Sequence, residues 1–183
     1  MPRSRLSAIA AAVLALSAAA PTALRAELAV GARAPDFTAQ GALGGKPFTV
    51  RLGEALRRGP VVLYFYPKAF THGCTLEAHA FAEASDDFRC AGATVIGMSN
   101  DDLATLRRFS TEPCRDRFAV ARATRAVVRA YDVAMAAQAA PAGLTKRTSY
   151  VIAQDGRIAF VHADMDYRDH VRLTLEAVRG LRH

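Results

Sequence analysis

The sequence predicts an α/β protein built on a central mixed sheet with helices on both faces. Three observations predict it. Val61-Val62-Leu63-Tyr64-Phe65-Tyr66 is an unbroken run of aliphatic and aromatic residues, which is how a strand buried on both faces reads. From Cys74 to Phe88, Leu76, Phe81 and Phe88 recur at helix-like intervals among frequent Ala and Glu. Thr94-Val95-Ile96-Gly97-Met98 then repeats the buried-strand pattern, so strand and helix alternate as in layered α/β architectures.

The remaining elements follow in order. Pro35 to Val50 carries Gly41, Gly44, Gly45 and Pro47 and predicts a glycine-rich hairpin or loop. Pro67 stops the first buried strand, and Gly92 stops the helix. Asp101 and Asp102 suit the start of a helix running toward Phe109. A short helix is predicted from Arg125 to Tyr131, then an Ala-rich loop from Ala134 to Thr145. Ser149–Ile152 and Ile158–Val161 flank Asp155-Gly156, a strong hairpin signal. Asp169 to Leu181 closes the chain as an amphipathic helix.

With 51% hydrophobic and 22% charged residues over 183 positions, the chain has the composition of one globular domain with a real core. Residues 1–26 read differently. Arg3 and Arg5 precede an uncharged Ala- and Leu-rich stretch from Leu6 to Leu24, and Ala26 offers a small residue for cleavage. This is the layout of a secretory signal peptide, so the expectation is a cleaved leader, an exported (periplasmic) location and a single domain over 27–183. The stretch is about long enough to span a bilayer, but Pro21 and the cleavage site favour removal over anchoring. Without the three leader arginines the net charge falls from +7 to +4. The remaining charges are scattered, with no basic block interleaved with aromatics. That gives nucleic-acid binding little support, and removal of the leader leaves the expectation of no stable membrane association.

The chemistry concentrates at one cysteine. A buried strand ends at Pro67, a short loop follows, and Cys74 opens a helix. A helix N-terminus carries partial positive charge and unpaired N–H groups, which favour a thiolate over a thiol. Gly73 lets the backbone approach a bound oxygen closely. On position alone, a packed core cysteine fits equally well.

The spacing Pro67-x-x-x-Thr71-x-x-Cys74, followed by Thr75-Leu76-Glu77-Ala78, resembles the active-site motif of the peroxiredoxins, especially their bacterioferritin-comigratory or Q-type branch. Gly31 to Phe37 resembles the opening segment of that family, Val95 to Ser99 its next strand, and Arg147-Thr148-Ser149-Tyr150-Val151-Ile152 the strand bringing an arginine to the site. The resemblance covers nearly all of residues 29–162 in order. It implies a thioredoxin-like α/β/α sandwich and a thiol peroxidase acting on hydrogen peroxide or organic hydroperoxides without a cofactor or metal. A thioredoxin-like or other thiol would serve as reductant, and the chain would be a monomer. It implies that Cys74 is the peroxidatic nucleophile, that Thr71 hydrogen-bonds the thiolate and the peroxide, that Pro67 shields the thiol, and that Arg147 holds thiolate and peroxide.

Two departures from the family matter. The second cysteine that one Q-type branch carries five residues after the first is His79 here, and Pro is replaced by His72. His72 is expected to be an exposed loop residue. Cys90 lies sixteen residues after Cys74, about 24 Å along a straight helix, whereas a disulfide needs Cα atoms within ~7 Å. It is therefore expected to be a packed core cysteine. Related Q-type proteins carry resolving cysteines near Cys114, and Pro113 suggests a movable segment, so Cys114 is the preferred resolving thiol. The alternatives are a structural Cys90–Cys114 bond, or one-cysteine chemistry with an external thiol.

Two other classes compete. A thioredoxin-like thiol–disulfide oxidoreductase would need Cys-x-x-Cys, but Thr71 stands three residues before Cys74. A metal-binding or redox-sensing module could draw on His72, Cys74 and His79, whose spacing matches no zinc pattern. Neither standard glycine-rich phosphate loop nor a haem attachment motif is present.

Overall fold

The computed structural model describes residues 27–136 and 143–181. The expected leader, and residues 137–142 of the expected 134–145 loop, lie outside the described residues. Along the chain run β1 (Thr38–Leu43), β2 (Lys46–Arg51), α1 (Leu52–Leu56), β3 (Val61–Phe65), α2 (His72–Glu83), α3 (Ser85–Cys90) and β4 (Thr94–Ser99). Then come α4 (Leu103–Thr111), β5 (Ala119–Arg122), α5 (Arg125–Ala130), β6 (Thr148–Ile152), β7 (Ile158–Ala163) and α6 (His170–Gly180). The strands form one sheet in the order β2-β1-β5-β4-β3-β6-β7. β3, β4 and β5 are parallel, and the remaining pairings are antiparallel, so the sheet is mixed as expected.

β3 is the spine because both of its faces are covered. Every residue from Val61 to Phe65 is fully buried. Val61, Leu63 and Phe65 join one core with Leu52 and Ala55 of α1 and Val127 of α5. Val62, Tyr64 and Tyr66 join the other with Phe81 of α2, Phe88 of α3, Phe109 of α4 and Val178 of α6. Phe81 stacks on Tyr64 at 4.4 Å between centroids, and Phe109 stacks on Tyr66 at 5.2 Å. This aromatic layer fixes the height of α2 over the sheet, and with it the position of Cys74.

Both expected hairpins form. Gly44 and Gly45 take φ of 55° and 71° in the two-residue β1–β2 turn, a conformation that glycine adopts without cost. Gly156, at φ 84°, turns β6 into β7, and Asp155 Oδ1 accepts from the Arg157 N–H. Asp102 caps α4 by accepting from Thr105 N at 2.7 Å.

Three expectations need correction. The helix expected from Cys74 to Phe88 begins earlier, at His72, and breaks at Ala84, whose ψ of 1° ends α2 and starts α3. The break lets Phe88 rejoin Phe81 in the core at 5.8 Å. It also turns Cys90 outward, so Cys90 is exposed rather than packed. β5 was not predicted at all. Ala119-Val120-Ala121-Arg122 has little strand propensity, and it pairs because small residues let β1 come close: a Cβ on Gly41 would lie 2.1 Å from the Val120 carbonyl oxygen.

Candidate active site

β3 and β6 bring the site together. Their antiparallel register pairs Phe65 with Thr148, so the loop leaving β3 and the residue entering β6 meet at one end of the sheet. The loop leads into α2, whose first backbone bond runs from Thr75 N to Thr71 O. The N–H groups of His72, Gly73 and Cys74 therefore have no intrahelical partner and point toward incoming negative charge.

Cys74 is buried, at 2% exposure. Arg147, immediately before β6, donates from Nη2 to Cys74 Sγ at 3.5 Å. Its Nη1 pairs with Glu77 Oε2, and its Nε donates to the Met165 carbonyl at 3.0 Å. All three faces of the guanidinium fork are thus used, and the charge is aimed at the sulfur. Gly73 makes room for it: a Cβ there would lie 3.3 Å from Nη2. Burial works against the Arg147 charge, but Glu77 and Cys74 more than offset it and hold the guanidinium above its ordinary range.

Glu77 is fully buried. Burial pushes its carboxyl up to about 8, against the pull of Arg147. Its second oxygen lies 3.8 Å from His170 Nδ1. His170 is also fully buried: its Nε2 faces the Asp164 carbonyl at 2.9 Å and its Nδ1 faces Ser149 Oγ at 2.8 Å. Since a carbonyl only accepts, Nε2 carries the proton and the Ser149 hydroxyl donates to Nδ1. Burial, chiefly, holds the imidazole down to about 4.

The other expected residues fall around this centre. Thr71 sits at the cap position of α2, but its hydroxyl donates to the Lys68 carbonyl at 2.9 Å rather than to Cys74. Pro67 is half-buried at the start of the loop, and His72 is exposed. Phe70 adopts φ 62°, an uncommon conformation for a bulky residue. It is held there by Phe109, at 5.3 Å between centroids, and by the Arg108 guanidinium 5.0 Å above its ring.

Cys114 shares the core with Cys74 and is fully buried. Burial, aided by Asp116, pushes its thiol well up. Both cysteines lie within electrostatic reach of Tyr64 and Tyr66. No disulfide joins them. Cys114 does lie in an irregular turn, as expected, but the turn is tied down: Cys114 N donates to Phe109 O, and Arg117 N to Cys114 O.

Glu77, Asp101, Ser149 and His170 were missed as site residues. Glu77 stands three residues after Cys74 on one helix and so shares its face, a signal that could have found it. Asp101 looked like a second helix-start acid. Instead, its carboxylate accepts from Ala69 N at 2.7 Å and from Ser99 Oγ at 2.8 Å, tying down the loop before Cys74. Among the described residues, no group of three His, Cys, Asp or Glu side chains is arranged to hold a metal ion.

A mixed sheet layered by helices, with a buried thiol in the first turn of the helix after the central strand, defines a thiol protein of the thioredoxin-like fold. The AhpC/TSA family profile matches residues 30–161, and the chain belongs to that family, the peroxiredoxins. It is 42% identical over 82 residues to the chloroplastic peroxiredoxin Q of Arabidopsis thaliana, covering 45% of this chain and 36% of the relative. Over 86 residues it is 38% identical to a protein of Helicobacter pylori described as a putative peroxiredoxin bcp, covering 47% and 54%. The matches thus span only a third to about half of the length of these relatives. The crystal structure of peroxidoxin BcpB from Mycobacterium tuberculosis superposes with a TM-score of 0.74 at 28% identity, covering 84% of this chain and 98% of that one.

Proposed function

We propose that the chain is a thiol-dependent peroxidase in which Cys74 attacks hydrogen peroxide or an organic hydroperoxide. The observation that carries the reading is the Arg147 guanidinium, which donates to Cys74 Sγ while Glu77 and the Met165 carbonyl hold it in place. In the first step the Cys74 thiolate forms an S–O bond as the O–O bond breaks. The departing oxygen takes a proton and leaves as water or an alcohol, and the sulfur is oxidised by two electrons to a sulfenic acid. Arg147 and the open amides of the α2 first turn stabilise the charge that develops on that oxygen. Thr71 gives its own hydrogen to Lys68, so its lone pairs remain to accept from the peroxide hydroxyl. Pro67 screens the thiol from bulk water.

In the second step the Cys114 thiol condenses with the sulfenic acid, forming a disulfide and releasing water. Cys114 is buried, so this step needs the turn around it to open. Arg115 and Asp116, at φ of 48° and 58°, place strain in that turn and favour its release. A thioredoxin-like or other dithiol then supplies the two electrons that restore both cysteines. The proposal includes export, directed by residues 1–26, and a monomeric state.

The test is single-turnover peroxide consumption by wild type, Cys74→Ser and Cys114→Ser, with mass spectrometry of the products. The expected result is one equivalent consumed and a Cys74–Cys114 disulfide in wild type, with oxidised Cys74 persisting in Cys114→Ser. Peroxide consumption by Cys74→Ser at the wild-type rate overturns the reading.

A further inference from the structure

Behind Arg147 lies a buried histidine that the steps above do not use. The connection from β7 to α6 supplies the carbonyl that fixes the guanidinium, since Arg147 Nε donates to Met165 O at 3.0 Å. This loop has little of its own to hold it. Asp164, Met165 and Asp166 are exposed. Its side-chain bonds, Asp166 N to Asp164 Oδ1 and Arg168 to Asp166, lie in solvent, where such contacts add little. His170, the first residue of α6, ties the loop at two points. Its Nε2 bonds the Asp164 carbonyl at 2.9 Å, and its backbone N–H donates to the Tyr167 carbonyl at 3.3 Å. Met165 stands between the two.

The ring is committed in a way that suits this task. It is fully buried and held neutral, so it offers one donor and one acceptor. The acceptor, Nδ1, is taken by the Ser149 hydroxyl at 2.8 Å, which leaves Nε2 to donate. Ser149 stands two residues beyond Arg147, the spacing that puts both on one face of an extended chain. The His162 ring packs against His170 at 4.5 Å between centroids, and Thr174 Oγ1 donates to the His170 carbonyl at 2.6 Å. Two adjacent carbonyls of the loop are thereby divided: that of Asp164 goes to His170, and that of Met165 goes to Arg147. Pinning the first leaves the second little freedom, because the peptide unit joining them is planar.

We propose that His170 is a positioning residue: its Nε2 bond to the Asp164 carbonyl holds the Met165 carbonyl in place, and so keeps the Arg147 guanidinium against Cys74. The loop is the route. The direct approach of His170 Nδ1 to Glu77 Oε1, at 3.8 Å, is too long for a hydrogen bond. His170 bears on catalysis only under the reading above, in which Cys74 attacks the peroxide.

The experiment replaces His170 by methionine and by glutamine in the full chain. The two side chains are alike in length and shape, but only glutamine carries an N–H that can reach the Asp164 carbonyl. Exchange of the Arg147 Nε–H with solvent, followed by NMR, reads the Met165 bond directly, and stopped-flow peroxide kinetics read its consequence. His170→Met should raise the exchange and lower the peroxide rate, each about tenfold, the worth of one hydrogen bond. His170→Gln should recover most of both. In the Arg147→Met background, His170→Met should cost nothing further in rate, because its effect runs through the guanidinium. His170→Asn keeps an acceptor for Ser149 but is too short for Asp164, so it should match His170→Met and serves if the methionine variant folds poorly. Unchanged Arg147 exchange in the methionine and asparagine variants, glutamine as damaging as methionine, or an added loss in the Arg147→Met background overturns the proposal. A wild-type chain that leaves peroxide untouched defeats the peroxidase reading instead, and the exchange comparison still decides the role of His170.

Discussion

Arg147 Nη2 reaches Cys74 Sγ at 3.5 Å although 73 residues separate the two in the chain. The β3–β6 register brings them together, since Phe65 opposite Thr148 sets the exit of one strand beside the entry of the other. The arginine is then fixed by two further acceptors, Glu77 and the Met165 carbonyl.

Replacing Arg147 tests what that fixing achieves. Arg147→Met should lower kcat/KM for peroxide by about 10²-fold, the size of effect seen when one preorganised donor is removed. Arg147→Lys should recover little, because the three acceptors are met by three different nitrogens of a planar fork, and a compact ammonium presents all its donors at one point. Stopped-flow peroxide kinetics check both statements.

The buried acid and the buried imidazole pull stability in opposite directions with pH. Glu77 is held up at about 8 from an ordinary 4.5, so the folded state keeps its proton longer. Its contribution is full below 4.5 and lost as pH rises toward 8. His170 is held down at about 4 from 6.5, so the unfolded state takes the proton first. Its contribution is present above 6.5 and lost as pH falls toward 4, about 3 kcal/mol at the acid end. Glu77→Gln should flatten the fall in Tm between pH 6.5 and 8. His170→Gln should flatten the fall below pH 6.5. Thermal unfolding across this range checks both limbs.

Gly73→Ala should separate stability from activity. Gly73 is the second residue of α2, where alanine gains less than the ~1 kcal/mol of a helix interior, so Tm should hold. The new Cβ would lie 3.3 Å from Arg147 Nη2, so the guanidinium must give by a few tenths of an ångström and its contact with the sulfur should lengthen. Peroxide turnover should fall several-fold in a protein no less stable, as kinetics and calorimetry on one preparation can establish.

Gly41→Ala should strike the fold instead. Its Cβ would meet the Val120 carbonyl oxygen at 2.1 Å, a backbone obstacle that no rotamer can relieve. β1 and β5 would have to separate, and a loss of about 3 kcal/mol or more is expected, in the range of severe overpacking. Denaturant unfolding checks it.

Much of this molecule was legible as pattern. The apolar runs at 61–66 and 94–98, the glycine turns at 44–45 and 155–156, and the Pro67-Thr71-Cys74 spacing are local signals, because strand burial, turn geometry and a helix start each depend on a few adjacent residues. They determined the mixed α/β architecture, the hairpins and the candidate nucleophile. Arg147 was found only through resemblance, since nothing local marks it.

Tertiary structure decided the rest. β5 forms because Gly41 admits a neighbouring backbone, a contact between residues about eighty apart that alanine-rich sequence does not announce. The helix break at Ala84 accompanies the return of Phe88 to the core beside Phe81, and beyond it Cys90 is exposed. Burial decided the electrostatics: Glu77, His170 and Cys114 look ordinary in sequence, and only exclusion from water shifts them. The sequence by itself determined which residue types stand near a helix start. Packing decided which of them share a low-dielectric site, because desolvation and long-range contact are properties of the folded chain.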